Sequence, residues 1–291
     1  MFVQSNTIRA TQSYVKSMLG ESFSESEIRK IFKLIVCKRL GWTDSDYILN
    51  QESRLSESDL LFVRSIIKRI LNGEPFQYIL GETEFFGITF FCSPAALIPR
   101  PETEELVQVI LNAVDNSTPL NLADLCSGSG CIGISLASNL PQASVILTDV
   151  STEALELAKK SASLNKVKVD FLCHDILNED AFNEFETKSF DVFVSNPPYI
   201  PLVDKAQMKS HVLEYEPLLA LFVEDTDPLV FYRIIGKNAR RKLKVNGLLF
   251  FEINPDHSED LVRLMHELGF VNIELMKDLQ GRYRMLKAQN S

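Results

Sequence analysis

The sequence predicts an α/β protein: a small N-terminal helical bundle, then a mainly parallel, doubly wound sheet that closes with an antiparallel C-terminal hairpin. Three observations carry this. Up to about Leu71 the apolar residues recur at helical spacing, as in Ile28, Ile31, Phe32, Ile35 and Val36. Beyond Leu120, seven short apolar runs are separated by helix-length stretches: LNLADLC, ASVILTD, VKVDFLCHD, FDVFVSN, GLLFFEI, VNIELMK and YRMLKA. Alternating strands and helices imply parallel pairing. Only residues 278–282 or so separate the last two runs, too few for a crossover helix, so these two form an antiparallel hairpin at the sheet's edge.

The elements follow in order. Ser24-x-x-Glu27 has the form of a capping box, and Ser56-x-x-Asp59 resembles it ahead of LLFVRSIIKRIL, which Asn72-Gly73 closes. TEFFGITFFCS reads as a strand pair, and AALIPRPETEEL as an extended segment leading into a helix. The expected organisation is a helical domain at 1–74, a linking strand pair at 75–95 and the sheet domain at 96–291. Late in the chain, Arg240, Arg241, Lys242 and Lys244 suit a helix C-terminus that Asn246-Gly247 ends.

With 291 residues, 45% of them hydrophobic, the chain can fill sizeable cores. Its net charge of -9 and pI near 5.1 argue against a broad electrostatic grip on nucleic acid. Five cysteines form no CxxC pair and four histidines show no metal-ligand spacing, which fits a reduced, metal-free cytoplasmic protein. The opening MFVQSNTIRATQS lacks the apolar core of an export signal, and no apolar run approaches a membrane span.

Ligands of doubly wound sheets bind beyond the carboxyl ends of the strands. At the first such end, DLCSGSGCIGISLA (124–137), Gly128 and Gly130 allow a tight turn and close approach of a ligand. Alone this is also an ordinary strand-to-helix turn. Asp149 ends the next strand, 21 residues after Gly128, where a carboxylate accepts from ribose hydroxyls. Asp175, at a third strand end, is placed to receive an adenine amine. Each acid singly is as readily a turn or helix cap. The series points to a nucleoside cofactor without separating NAD from others.

The fourth strand end, in DVFVSNPPYIP (191–201), narrows the choice. Asn196-Pro197-Pro198-Tyr199 resembles the signature of methyltransferases that act on planar nitrogen and use S-adenosylmethionine. An amide or aromatic amine nitrogen is a poor nucleophile because its lone pair is delocalised. The Asn196 side-chain oxygen and the Pro197 carbonyl can accept its two N–H bonds and stabilise positive charge developing on nitrogen. The prolines supply a rigid frame, and Tyr199 can pack over the planar group.

The chain as a whole resembles the HemK/PrmC family of protein glutamine N-methyltransferases. The matching segments are GEPFQYILGETEFFG (73–87), LIPRPETEELV (97–107), DLCSGSGCIGISLA, SNPPYIP, YEPLLAL (215–221) and DLQGRYRMLKA (278–288). The resemblance implies a Rossmann-like class I methyltransferase domain with a seven-stranded sheet. It also implies methyl transfer to the glutamine amide in the Gly-Gly-Gln motif of class I peptide chain release factors. It assigns cofactor binding to Cys126, Ser127, Gly128, Ser129, Gly130, Asp149, Asp175, Ile176 and Asn196. Catalysis falls to Asn196, Pro197 and Tyr199, with Pro198 beside them in the substrate site. The N-terminal helices are expected to help bind the release factor. Membrane and direct nucleic-acid partners are not expected.

Cys126 stands where the family usually has the loop's first glycine, and Asn254 stands where a glycine is common. Neither removes a group the chemistry needs. RPETEE (100–105) is expected next to the site rather than in it. Two other readings compete: a nucleobase-amine methyltransferase acting on DNA or RNA, which predicts a basic track, and a non-catalytic cofactor-binding scaffold, which intact Asn196, Pro197 and Tyr199 oppose.

Overall fold

In the computed structural model the described residues are 5–178 and 182–291; the first four residues of the segment read for an export signal lie outside them. The chain divides into two compact units, Met1–Gly81 and Glu82–Ser291. No helix among the described residues is long and apolar enough to cross a membrane.

The first unit holds α1 (Ile8–Leu19), α2 (Glu25–Leu40), α3 (Asp44–Leu49), α4 (Glu57–Leu71) and α5 (Phe76–Leu80). Ser24 and Ser56 cap α2 and α4 in complete boxes, with Glu27 and Asp59 bonding back to the cap N–H. Thr43 and Asp46 form a third box at α3. The stripe Ile28, Ile31, Phe32, Ile35 and Val36 is buried together with Val15, Leu19, Val63 and Ile67. Residues 75–95 are not all strand, because α5 lies among them and buries Leu80 in this core. Gly81, at φ 75°, stops α5.

The second unit opens with β1 (Glu82–Phe85) and β2 (Ile88–Phe91), an antiparallel pair turned at Phe86 and Gly87. Both turn residues have positive φ (49° and 77°), as a two-residue hairpin turn demands. Next comes α6 (Pro101–Ala113), with Pro101 in its first turn and Arg100 extended before it. The alternating part follows: β3 (Asn121–Leu125), α7 (Cys131–Asn139), β4 (Ser144–Asp149), α8 (Thr152–Leu164), β5 (Asp170–Cys173) and β6 (Phe190–Ser195). Between β6 and α10 (Val230–Lys242) lie β7 (Ile200–Pro201), α9 (Ser210–Tyr215) and β8 (Phe222–Val223), with β7 and β8 paired in parallel. The chain ends in β9 (Leu243–Glu252), α11 (Ser258–Glu267), β10 (Val271–Lys277) and β11 (Tyr283–Gln289).

Seven strands form one sheet in the order β10-β11-β9-β6-β3-β4-β5, parallel except for the pairs made by β11. Two apolar layers cover it, one containing Phe193, Tyr232, Phe251 and Leu286, the other Leu106, Leu122, Leu136 and Phe250. Sequence order runs outward from β3 through β4 to β5 and then returns to β6 on the other side of β3. The crevice beyond β3 and β6 is therefore the topological switch point, where such sheets bind ligands.

One expected boundary differs. α10 ends at Lys242, and Asn246-Gly247 lies inside β9 rather than closing the helix. There Asn246, at φ 66°, belongs to an outpouching of the strand, since Phe190 faces Leu243 while Val192 already faces Leu248. Strand pairing to β6 on both sides of the bulge outweighs the Asn-Gly stop signal. The cations nearby are used internally: Lys244 pairs with Asp191 at 2.8 Å, Lys242 donates to the Phe185 carbonyl, and Arg240 to the Asn290 side chain.

Candidate active site

The strand register brings the carboxyl ends to one level. Leu125 of β3 faces Thr148 of β4 and Ser195 of β6, Asp149 faces Cys173 of β5, and Ser195 faces Phe251 of β9. Ser195 ties two of these ends by donating from its buried hydroxyl to the Leu125 carbonyl at 2.6 Å. A cleft opens here. Its wall includes Cys126, Ser127, Gly128, Ser129, Asp149, Asp175, Ile176, Asn196 and Pro198, together with residues 95–100 and Thr103. Of the positions singled out in the sequence, Gly130, Pro197 and Tyr199 are not part of that wall.

The loop after β3 is held by its own backbone and two carboxylates. The Ser127 N–H donates to the Thr148 carbonyl at 2.9 Å, and the Gly128 N–H to Asp149 Oδ2 at 2.7 Å. Asp149 Oδ1 accepts from the Ser151 N–H at 2.9 Å. Each carboxylate oxygen keeps a second lone pair for a ligand. Burial raises the Asp149 pKa, opposed by the N–H groups of Ser151 and Gly128. Gly130 works from behind: a Cβ there would lie 2.7 Å from Leu147 and 2.9 Å from Ile134, so its role is close helix–sheet packing. Asp124, which the sequence reading passed over, is 1% exposed and accepts from the Gly133 N–H in the first turn of α7 at 2.8 Å. Burial pushes its pKa up to about 7, against that hydrogen bond.

Cys126 has φ 58°, a backbone region that glycine enters without strain. Its thiol is pushed well above the ordinary value, first by burial and then by the Asp149 charge, so it is no thiolate nucleophile. Asn254 behaves differently. It sits at φ -75° and its side chain accepts from the Asp256 N–H, so nothing in that turn requires glycine.

Asp175 is exposed and accepts from the Leu177 N–H at 2.9 Å, an Asx turn that leaves Ile176 buried in the wall. On the β6 side, neither the Asn196 side chain nor the Pro197 carbonyl makes a hydrogen bond among the described residues. Tyr199 packs on the core layer of Phe193 and Phe251, and its hydroxyl donates to Glu252 Oε1 at 3.4 Å.

RPETEE, expected only next to the site, contributes Arg100 and Thr103 to the cleft wall itself, because the extended residues before α6 and its first turn run along the strand ends. Arg100 Nη2 donates to both carboxylate oxygens of Glu216, at 2.5 and 2.6 Å, and the Glu216 side chain is 1% exposed. This pair joins residues 95–100 to the segment containing Pro217, Leu219 and Ala220, which also lines the cleft. Partners 116 residues apart leave no local signal in a single sequence.

The buried Ser127 hydroxyl has no hydrogen-bond partner among the described residues and belongs to the cleft wall; the His174 ring nitrogens are likewise unpartnered there, with the ring set against Phe182 and Phe185. A Cβ at Gly128 would meet nothing within 4 Å. These features suit a polar, nucleoside-sized group lying along residues 126–129 and Asp149.

Two family models match the chain: the PrmC N-terminal domain over residues 12–81 and the methyltransferase small domain over residues 96–214. A release factor glutamine methyltransferase from Flavobacterium psychrophilum is 43% identical over 272 residues, covering 92% of this chain and 94% of the relative. The chain belongs to the HemK/PrmC family. A second relative of the same name, from Bacteroides thetaiotaomicron, is 38% identical across 95% of this chain and 98% of its own length. One from Streptococcus pneumoniae is 38% identical over 86% of each. As a member of the HemK/PrmC family the protein is a methyltransferase whose methyl donor is S-adenosylmethionine, released as S-adenosylhomocysteine.

Proposed function

We propose that this protein methylates the side-chain amide nitrogen of the glutamine in the Gly-Gly-Gln motif of class I peptide chain release factors. The observation that carries the reading is the pair of free acceptors, Asn196 Oδ1 and the Pro197 carbonyl, at the strand end beside the cofactor cleft. The relatives' shared name supports the substrate class. Bound S-adenosylmethionine supplies an electrophilic methyl group. Asn196 and Pro197 accept the two amide N–H bonds and turn the nitrogen's face toward that methyl. With the methyl–sulfur bond breaking as the N–C bond forms and the neutral thioether S-adenosylhomocysteine leaving, Asn196 and Pro197 would stabilise the positive charge on nitrogen, and one of its two protons would then leave to water. Alignment supplies much of the acceleration. Pro198 fixes the turn, and Tyr199 packs against the planar amide.

Residues 126–129 and Asp149 hold the cofactor's methionyl and ribose parts, with Asp175 and Ile176 at the adenine and Asn196 between cofactor and target, while Gly130 serves the loop by its packing. The helical unit, Met1–Gly81, helps bind the release factor, in the cytoplasm, and no nucleic acid is modified. The test is transfer of labelled methyl to a purified class I release factor and to a version with the Gly-Gly-Gln glutamine replaced, followed by peptide mass mapping. Label on the intact factor alone, at that glutamine, is the expected result. Label on DNA or RNA instead, from a preparation that binds the donor, would overturn the reading.

A further inference from the structure

Glu252 ends β9 one residue beyond the level of Ser195, next to the strand end that carries Asn196. It is 3% exposed and its carboxylate has two hydroxyl donors from distant segments. Thr103, in the first turn of α6, donates to Oε2 at 2.7 Å, and Tyr199 donates to Oε1 at 3.4 Å. A third hydroxyl, that of Tyr232, donates to the Glu252 backbone carbonyl at 3.0 Å and fixes the strand end itself. The Arg284 guanidinium from β11 acts electrostatically on both Glu252 and Tyr199, and its Nε reaches the buried Asp278 at 3.4 Å.

For the fold alone this is a costly arrangement. A carboxylate taken out of water needs its lone pairs met, and an apolar residue of similar volume is often the more stable choice. Burial accordingly raises the Glu252 pKa, while Thr103, Arg284 and Tyr199 oppose the rise. The carboxylate bridges two sides of the site: Thr103 belongs to the cleft wall, and Tyr199 belongs to the motif beside the free acceptors. The 3.4 Å contact is long for O–H···O, a weak bond that adds direction to a ring already packed on the layer of Phe193 and Phe251.

We propose that Glu252 is a positioning residue for methyl transfer: its carboxylate holds the Tyr199 hydroxyl, and Thr103 holds the carboxylate, so that the Tyr199 ring keeps its place beside the target amide. The role of that ring rests on the function proposed above. Glu252 itself is not among the residues that line the cleft.

Three variants and a double variant test it: Glu252→Ala, Glu252→Gln, Tyr199→Phe, and Glu252→Ala with Tyr199→Phe. Glu252→Ala should lower kcat on the order of 10-fold while cofactor Kd stays within about twofold, because what is lost is alignment. Glu252→Gln keeps an acceptor oxygen and should restore most of the rate. Tyr199→Phe should lose a similar factor, with the double variant no worse than the weaker single one. Losses that multiply, or a Gln variant as slow as the Ala variant, would overturn the proposal. Spectra of the full chain carrying 13C-labelled tyrosine give a reading independent of methyl transfer. The Tyr199 signal, assigned by its absence in Tyr199→Phe, should shift in both Glu252 variants. An unchanged signal sinks the positioning role even if the wild-type chain labels no release factor, an outcome that would separately sink the proposed function.

Discussion

At the end of β3 the N–H groups of Ser127 and Gly128 are already engaged, with the Thr148 carbonyl and Asp149, whereas at the end of β6 the Asn196 side chain and the Pro197 carbonyl bond nothing among the described residues. Both strand ends border the same cleft. On one side the backbone is already set, with only the Ser127 hydroxyl and the spare lone pairs of Asp149 open; on the other both acceptors are in reserve. The difference fits the two jobs. A cofactor site gains from being preformed, since little ordering remains to be done on binding. A catalytic site gains from acceptors whose best partner is charge that develops only in the transition state.

Asn196→Ala tests the open side most severely. It removes one of the two acceptors proposed to receive the target amide, and losses for single preorganised groups of this kind run at roughly 100- to 1,000-fold in kcat. Cofactor Kd should change by less than about threefold, because binding in the ground state rests on the other side. Equal loss of binding and turnover would show that the two sides are one device. Asp149→Ala tests the preformed side. It removes a charged acceptor from both the loop and the ligand, so cofactor Kd, measured by calorimetry, should rise roughly 10- to 100-fold. Turnover at saturating donor should fall far less. Unchanged affinity would leave Asp149 as a loop anchor only.

How much of this could be read beforehand follows from the range of each interaction. The seven runs became seven strands with the hairpin at residues 271–289, because strand period and connection length are local properties. Capping boxes span four residues and were legible for the same reason. The strands at Ile200–Pro201 and Phe222–Val223 are too short to carry a period. Glu252 was invisible as a functional residue, since a lone acid after GLLFF reads as a strand end until Thr103 and Tyr199 are folded against it. The position of Cys126 was legible, but its φ of 58° was not.

Asp124→Asn gives a smaller effect and a signed one. The folded carboxyl titrates at about 7, above the roughly 3.9 of an unfolded aspartate, so the native state holds the proton more tightly. Its contribution to stability is full below about pH 4 and is lost as pH rises through 7. Asn imitates the protonated form and has no such loss. From pH 5 to 8, urea unfolding should show the wild type losing on the order of 2 kcal/mol relative to the variant. Asp149 and Glu252 are raised too; the Glu252 slope cancels in that difference, while Asp149, whose charge helps raise Asp124, titrates together with it and shares part of the loss. Parallel curves for the two proteins would mean that Asp124 is ionised throughout.

The smallest expected effect is at Cys126→Gly, where three terms compete. Relieving a left-handed non-glycine backbone gains roughly 1 to 2 kcal/mol. The glycine's extra freedom in the unfolded chain costs about 0.4 to 1 kcal/mol. Losing the half-buried thiol, which packs on the core layer of Phe193 and Phe251, costs about another 1 kcal/mol. The sum is near zero, so the unfolding midpoint should barely move and cofactor Kd should change less than about threefold. A gain above about 2 kcal/mol would mean that the loop carries its strain uncompensated, and that the preformed side is less settled than its hydrogen bonds imply. A loss of that size would instead make the thiol itself part of the frame, through its contact with the Ser195 hydroxyl that ties β6 to β3.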